Sequence, residues 1–275
     1  MRSTLSPPLR VSGLALRLQQ GLGLALMACG LLGLGQPAER WMALSLAPGI
    51  KPSWQAPFGA NALGQDLFAR WLEALAELWR SSVPGAAMAW LLALLLAVWA
   101  SQRGWRGAFG RWLLDLGDSL PGLLVLLAGA VALAEVPGAS ALLFALALWP
   151  EVARSMAQQW RSGQEAMHVL AAQTLGVQGA RLWWRHVLRP IWPLLLRQAL
   201  VLWIMALKWG VLLGFLGIGQ GGTCNLGNML TQGLAAARLG APAELLIAGI
   251  SLSCLTFASL SALQYSERRT REWNA

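Results

Sequence analysis

Six long apolar stretches dominate the sequence, and each is long enough to cross or nearly cross the hydrocarbon core of a bilayer. A core of about 30 Å takes roughly 17 to 25 helical residues. With 56% hydrophobic and 12% charged residues over 275 positions, the chain is too apolar for a soluble globule. The sequence therefore predicts an all-α, polytopic membrane bundle with about six transmembrane helices. The predicted spans are Leu18–Leu34, Pro84–Ala100, Trp112–Ala134, Ala139–Ala157, Ile191–Ile218 and Glu244–Leu263.

The placement of the basic residues orients this bundle, because arginine and lysine are retained on the cytoplasmic side during membrane insertion. With both termini in the cytoplasm, fifteen of the 21 basic residues lie inside, five lie outside, and Lys208 lies within a span. We therefore expect a multi-pass protein with both termini cytoplasmic. Because the basic residues form short clusters between apolar runs, the net charge of +9 does not indicate binding to nucleic acid.

This topology predicts a single transmembrane domain over residues 1–275, with an outer segment at 35–83 and a cytoplasmic coupling loop at 158–190. Within the outer segment, Leu67–Trp79 has apolar residues at helical spacing. We expect a short amphipathic helix there that lies on the outer membrane surface. Its apolar side either packs against the bundle or contacts a partner, and the sequence leaves both open.

The cytoplasmic loop is predicted to form two short helices. The first is Glu165–Leu175, and Gly176 supplies the left-handed conformation that commonly ends a helix. In the second, Gln178–Leu188, Arg181 and Arg185 share one edge at a spacing of four residues. An apolar stripe beside them consists of Ala180, Trp184, Val187 and Ile191. Such a unit can insert its apolar side into a groove and bind acidic rims through its guanidinium groups.

The same loop carries a family signature. Ala171-Ala172, Gly176 after three intervening residues, and Arg185-His186-Val187-Leu188 with a nearby proline resemble the signature of ABC importer permeases. The resemblance is to the second permease of the dipeptide, oligopeptide and nickel group, and it covers about Ala56–Gly233. The other matching residues are Pro57-Phe58-Gly59, Leu63-Gly64, Asp66, Arg70, Phe215-Leu216-Gly217-Ile218-Gly219 and Asn225-Leu226-Gly227-Asn228-Met229-Leu230.

The resemblance implies a type I ABC importer fold with a cytoplasmic pair of coupling helices, in a bacterial cytoplasmic (inner) membrane. Its implied partners are a homologous second permease subunit, two cytoplasmic ABC ATPase subunits, an extracytoplasmic solute-binding protein and membrane lipid. ATP and Mg would be held by the ATPases, since this chain lacks a G-x-x-x-x-G-K-S/T loop. We therefore expect no cofactor, metal or catalytic residue on this chain, which is not predicted to be an enzyme.

The resemblance also assigns a role in ATPase coupling to part of the cytoplasmic loop. The residues are Leu170, Ala171, Ala172, Gly176, Arg181, Arg185 and His186. Leu170 stands where the family usually carries an acidic residue, so a charge contact to the ATPase is expected to be lost or moved to Glu165. The imidazole of His186 is expected to cap or hydrogen-bond within the second helix rather than to sense pH, and His168 is expected to act similarly. Toward the end of the chain, Ser261-Ala262 replaces the family's Gly-Asp pair.

Three residues are candidates for the substrate path. Lys208 lies deep within the fifth span, where a charge usually faces a cavity or a partner. The alternative is that its long side chain snorkels to the outer interface. Gly214 and Gly217 either allow close helix packing or form a re-entrant bend that lines the path.

Two other functional classes stay open. A channel or facilitator that works without ATPases would explain the spans but not the coupling loop. A membrane enzyme would need convergent groups, whereas Asp66, Asp115, Asp118 and the two histidines are scattered along the chain. The cargo is open as well, because a peptide, a nickel or zinc chelate, an opine-like metallophore and a glycan fragment all fit the group that the chain resembles.

Overall fold

The computed structural model describes residues 13–34, 46–54, 56–133, 136, 138–217 and 224–274. Within these ranges the regular structure is helical, and the only strand-like feature is an isolated bridge between Ala60 and Asp66. A π-helical turn, Trp183–Leu188, lies within one continuous helix that covers Ala180–Phe215. The helices are α1 (Gly13–Gly33), α2 (Leu67–Ala100), α3 (Trp105–Ser119), α4 (Gly122–Ala132), α5 (Ala139–Gln164), α6 (Met167–Thr174), α7 (Ala180–Leu182), α8 (Arg189–Phe215), α9 (Leu226–Arg238) and α10 (Ala243–Asn274).

The predicted all-α membrane bundle is confirmed. In the described part of the chain, three helical stretches are long and apolar enough to cross a membrane, Leu67–Ala100, Ala180–Phe215 and Ala243–Ser266. The bent pair of α3 and α4 makes a fourth if the two form one span. The first and fourth predicted spans correspond to α1 and α5, and Glu151 and Arg154 make α5 less apolar than α2 or α8.

The second helix of the bundle, α2, begins much earlier than the sequence predicts. Asp66 caps its first turn by accepting a hydrogen bond from the backbone N–H of Phe68, 2.9 Å away. The helix then runs for 34 residues, so the predicted separate helix at Leu67–Trp79 is the outer end of the second span. The prediction of a helix on the membrane surface was wrong, because its apolar residues, including Trp71 and Leu75, are buried inside the bundle.

The third predicted span, Trp112–Ala134, consists of two helices rather than one. Helix α3 ends at Ser119 and α4 begins at Gly122, with a bend of 78° between them. Leu120 adopts an extended conformation, with φ −90° and ψ 119°, which is typical of a residue before proline. The prediction of one continuous helical span was wrong because Pro121 interrupts the helix. The two helices are apolar enough for a span only when they are taken together, since α4 is apolar and α3 carries charged residues.

A stripe of alanines on α2 lets the inner halves of the helices approach closely. Residues from α4, α5 and α8 pack against this stripe and complete an inner core cluster. Small side chains allow membrane helices to come close enough for extensive van der Waals contact. The stripe consists of Ala86, Ala89, Ala93, Ala97 and Ala100, each 5% exposed or less. This packing fixes the C-terminal half of α2 and the helix α5 relative to each other.

An outer core cluster joins α1, the outer half of α2, α8, α9 and α10. Leu75, Leu226 and Met229 lie at its centre and are almost fully buried. Trp71 adds a polar link between α2 and α10, because its indole N–H donates to the hydroxyl oxygen of Ser251 at 2.8 Å. The indole thereby keeps a hydrogen-bond partner although it is buried.

Candidate coupling surface and outer polar network

Helix α6, the short helix between α5 and α7, ends as the sequence predicts. Gly176 has a φ of +81°, the left-handed conformation that ends many helices. The N–H of Val177 donates to the carbonyl of Ala172 at 3.0 Å, and the N–H of Gly176 donates to that of Gln173 at 3.0 Å. These two bonds satisfy carbonyl groups that the end of a helix otherwise leaves without donors.

The second predicted helix, Gln178–Leu188, does not end where the sequence predicts. It begins at Ala180 and continues through the π-helical turn into α8, so the prediction of a separate short helix was wrong. Pro190 supplies the physical reason, because it has no N–H for the carbonyl of His186, four residues earlier, and its ring would clash with that carbonyl in a regular α-helix. The wider π-helical turn accommodates the ring without ending the helix.

The backbone carbonyl of His186 has a side-chain donor. The imidazole Nε2–H of His168, on α6, donates to the backbone oxygen of His186 over 2.8 Å. The sequence predicts local bonds for both histidines, whereas the structure links α6 to the π-helical turn through one imidazole and one backbone carbonyl. This contact ties the short helix α6 to the long helix that continues into α8.

A small apolar core lies between α6 and the start of the second helix. Val169 and Ala172 pack with Leu182 and Val187, and all four residues are 7% exposed or less. Such a core is large enough to hold one short helix in place, although α6 has only eight residues and would not be stable alone in water. The small core and the His168 contact together fix α6 against the helix that continues into α8.

The opposite side of α6 is apolar and exposed. Met167 and Leu175 are 82% and 84% exposed, Leu170 is 47% exposed, and Ala171 is exposed beside them. Large apolar side chains that are exposed together on one face mark a surface that contacts a protein or a membrane. These four residues are called the coupling surface below.

The structure places the seven predicted coupling residues in different environments. Ala172 is buried in the small core, and His186 is half-buried. The exposed members are Leu170, Ala171, Gly176, Arg181 and Arg185. The seven residues therefore lie in one region of the chain, but only part of them is accessible to a partner.

The predicted apolar stripe of the second helix is not a single face. Val187 and Ile191 are 2% and 6% exposed, whereas Trp184 is 73% exposed. The π-helical turn changes the angular spacing of these residues, so a repeat of 3.6 residues no longer predicts which side chains share a face. Trp184 lies instead with Arg181 and Arg185 along a groove of about 620 Å³.

Arg70, a residue of the motif before the second span, is the centre of an outer polar network. Its guanidinium group lies 3.2 Å from the carboxylate of Glu244 and donates to Gln232 at 2.6 Å and to Gln65 at 3.0 Å. Arg70 is 2% exposed and Glu244 is 4% exposed. The network therefore joins the outer segment and the start of α2 to α9 and α10 through a buried ion pair.

Sequence reasoning singled out Arg70 but missed its partners Gln232 and Glu244. Gln232 lies 162 residues away along the chain, and no local pattern connects the two. A signal for Glu244 was present, because it is an acidic residue in the first turn of an otherwise apolar span. A carboxylate in such a place requires a partner.

Cys224 lies against the same network. Its thiol donates to the backbone carbonyl of Arg70 over 3.5 Å, and its side chain is buried. Burial raises the pKa of the Cys224 thiol to about 11, because the thiolate would lose its hydration. The thiol is therefore protonated at neutral pH. Across the described ranges, no group of three or more His, Cys, Asp or Glu side chains is arranged to hold a metal ion.

The three candidates for the substrate path lie on α8 and at its end. Lys208 is exposed in the last third of α8, seven residues before its end at Phe215. A Cβ atom at Gly214 would overlap the side-chain oxygen of Asn225, so the glycine allows α8 to pack closely against the start of α9. Gly217 has a φ of +70° and terminates α8. A role of these residues in the path stays a prediction.

The described helices form a membrane bundle, and a short helix with an exposed apolar face, α6, is held against it. Residues 89–272 match the family described as binding-protein-dependent transport system inner membrane component. The match covers more than half of the chain, so the chain belongs to this family. It is a multi-pass transport component of the inner membrane.

Individual relatives agree with this assignment. The chain is 26% identical over 196 residues to a Brucella ovis protein named as a candidate peptide permease, a match that covers 70% of this chain and 65% of that protein. It is 31% identical over 149 residues to the oligopeptide transport system permease protein OppC of Bacillus subtilis. This match covers 51% of this chain and 45% of OppC. The chain thus spans less than two thirds of the length of either relative. The resemblance to ABC importer permeases of the peptide group is confirmed.

Proposed function

We propose that this chain is the transmembrane permease subunit of an ATP-driven ABC importer that moves peptides across the cytoplasmic membrane. The observation that carries the proposal is the coupling surface, an exposed apolar face on a short helix that is fixed to the bundle from its other side. Relatives named for peptide transport favour peptides over the nickel chelates and metallophores that the sequence resemblance also allows.

The coupling surface has the shape and chemistry for docking into a groove of a separate ATPase subunit. Met167, Leu170 and Leu175 project from one short helix, and each is at least 47% exposed. Burying them in an apolar groove would contribute on the order of 1.5 to 3 kcal/mol per side chain. Arg181 and Arg185, which are exposed on the adjoining helix, would then bind acidic groups at the edge of that groove.

The continuous helix Ala180–Phe215 supplies a mechanical connection from this surface into the bundle. Its 36 residues correspond to roughly 54 Å of helix. Because the small core and the His168 contact attach α6 to its cytoplasmic end, movement of a docked ATPase would displace α8 as a rigid body. A switch between two packed arrangements of the bundle could be driven in this way by nucleotide binding energy.

The proposed assembly contains the partners that the resemblance to ABC importer permeases implies. A homologous second permease would complete the path, two ATPases would hold ATP and Mg, and an extracytoplasmic binding protein would deliver the peptide. Both termini would be cytoplasmic, which puts the coupling surface on the ATPase side. Lys208, Gly214 and Gly217 are proposed to lie near the path, with Gly214 acting through packing.

A matched pair of substitutions tests the coupling surface. Leu175 and Leu239 are 84% and 86% exposed, but Leu239 follows α9 in the segment that the topology places outside. Leu175→Asp should reduce co-purification of the ATPase subunits and ATP-dependent peptide uptake into proteoliposomes by at least about tenfold, because a carboxylate would be buried in an apolar groove. Leu239→Asp should leave ATPase co-purification unchanged.

The same experiment separates the importer from a facilitator. Peptide uptake that requires ATP and both ATPases supports the importer. If the purified chain alone equilibrates peptide across the membrane, or if Leu175→Asp retains the ATPases and full uptake, the proposed coupling is wrong.

A further inference from the structure

A polar cavity of about 760 Å³ lies behind α6, on the side away from most of the coupling surface. It is bounded by the turn between α2 and α3, by α3 itself, by the end of α5, and by α6 with the π-helical turn. Three arginines from three of these elements line it, Arg103, Arg111 and Arg161. None of the three has a role in the proposed ATPase docking.

The lining of this cavity is positively charged. Glu165 is the one carboxylate among the lining residues, against three guanidinium groups. Amide side chains add neutral donors, and they belong to Gln102, Gln164 and Gln173. Planar guanidinium groups match the oxygen atoms of phosphate groups, which they bind through paired, charge-assisted hydrogen bonds.

Two of the three arginines are already held in position. Arg111 and Arg161 both donate to the backbone carbonyl of Ala100, at 3.3 Å and 3.0 Å. This carbonyl belongs to the last residue of α2, so the two groups are fixed to the end of the helix. Each guanidinium group has five N–H donors, and the shared carbonyl uses one donor of each. The remaining donors are available to a ligand at a reduced cost in side-chain entropy.

The start of α3 adds to the positive potential. Gly104 lines the cavity and directly precedes α3, a helix of 15 residues whose first turn has no side-chain cap. The backbone N–H groups at the start of a helix carry a partial positive charge and bind phosphate groups in many proteins. A guanidinium cluster and an uncapped helix start thus lie at one cavity.

We propose that this cavity binds a phosphate-bearing anion. The shared chemistry is a phosphate group held by Arg103, Arg111 and Arg161, and its source is either an anionic phospholipid headgroup of the inner leaflet or a soluble phosphate ester. Val169 and Leu170 of α6 form part of the wall. A bound anion would therefore connect α6 to the ends of α2 and α5 and restrict the movement of the coupling helix.

Two arginines three residues apart provide the test. Arg103 lines the cavity, whereas Arg106 does not and lies instead against the ring of Trp105, 5.7 Å from its centroid. The full-length chain in an uncharged detergent would be titrated with inorganic pyrophosphate by calorimetry. Retention of phosphatidylglycerol, compared with phosphatidylcholine, would be measured by native mass spectrometry. Arg103→Gln should weaken binding of the bound probe about tenfold, and Arg106→Gln should leave it unchanged.

Each outcome decides the proposal. If Arg103→Gln weakens only the binding of pyrophosphate, the natural ligand is a soluble phosphate ester. If it weakens only the retention of phosphatidylglycerol, the ligand is a lipid headgroup. If the wild-type chain binds neither probe, or if Arg103→Gln and Arg106→Gln have equal effects, the site does not exist. A second variant, Arg161→Lys, keeps the charge but removes the planar fork, so it should also weaken binding. The ATPases are absent from this measurement, so its failure leaves the proposed importer function intact.

Discussion

The imidazole Nε2 of His168 lies 2.8 Å from the backbone carbonyl oxygen of His186, and this hydrogen bond joins α6 to the long helix that continues into α8. Pro190 has no N–H, so the imidazole does not share that carbonyl with the bond that residue 190 would make in a regular α-helix. The contact tethers α6 to the long helix.

Removing the imidazole should loosen α6. His168→Ala deletes the donor, and a net loss of about 0.5–1.5 kcal/mol should speed hydrogen exchange of the α6 amides by roughly 2- to 10-fold. His186→Ala is the matched control, because its backbone carbonyl remains. Hydrogen–deuterium exchange with mass spectrometry would measure both variants. Equal exchange in His168→Ala and the wild-type chain would contradict the tether.

The buried pair of Arg70 and Glu244 should be strongly coupled. Glu244→Gln or Arg70→Met alone leaves an uncompensated buried charge and should cost about 3–5 kcal/mol of stability. The double variant should cost much less than the sum of the two single variants. Denaturation in detergent, arranged as a double-mutant cycle, measures the coupling.

An exposed pair of the same chain serves as the control for that cycle. Arg154 lies 2.8 Å from Asp115, and their side chains are 50% and 65% exposed. Water screens such a pair, so its coupling energy should be no more than about 1 kcal/mol. Comparable coupling energies for the two pairs would show that burial does not set the strength of the Arg70–Glu244 interaction.

Gly214 should be intolerant of alanine for a packing reason. The added methyl would displace the side chain of Asn225, which caps α9 by accepting from the N–H of Asn228 at 2.8 Å. Loss of this cap together with the overlap should destabilise the protein by about 2 kcal/mol. Gly249→Ala is the control, because a Cβ there meets no atom within 4 Å and alanine favours the helix. The measurement is the midpoint temperature of thermal unfolding, and an equal decrease for both substitutions would disprove this account.

The thiol of Cys224 should react only at high pH. Burial holds its pKa at about 11, so the reactive thiolate is a minor species at neutral pH and increases about tenfold per pH unit up to that value. Maleimide labelling of a variant with Cys29→Ser and Cys254→Ser should therefore rise steadily from pH 8 to pH 10. In denaturant, the rise should level off near a pH of about 8.5. A plateau near that pH in the folded protein would contradict the raised pKa.

Local patterns in the sequence predict the helices and one helix end well. Hydropathy over about 20 residues identifies apolar segments because each residue contributes independently of its spatial neighbours. Gly176 ends α6 as predicted, with a φ of +81°, because a left-handed residue is a property of the backbone itself. The family resemblance rests on similarly local residue spacings.

Breaks and continuations between helices were predicted less well. Pro121 interrupts the third predicted span, whereas Pro190 lies within a helix that continues through a π-helical turn. The two prolines carry the same local signal, and their surroundings decide the outcome. Near Pro190, the imidazole of His168 donates to the backbone carbonyl of His186. No sequence pattern specifies such a contact.

The sequence by itself determined that this chain is an all-α membrane protein, where its main apolar segments lie, and which transport family its motifs resemble. Only the tertiary structure decided that Leu67–Trp79 packs inside the bundle, that Arg70 pairs with Glu244, and which side of the coupling loop is exposed. The physical reason is that burial and ion pairing depend on distances between residues far apart in the chain. Those distances are set by helix packing, which apolar periodicity alone does not specify.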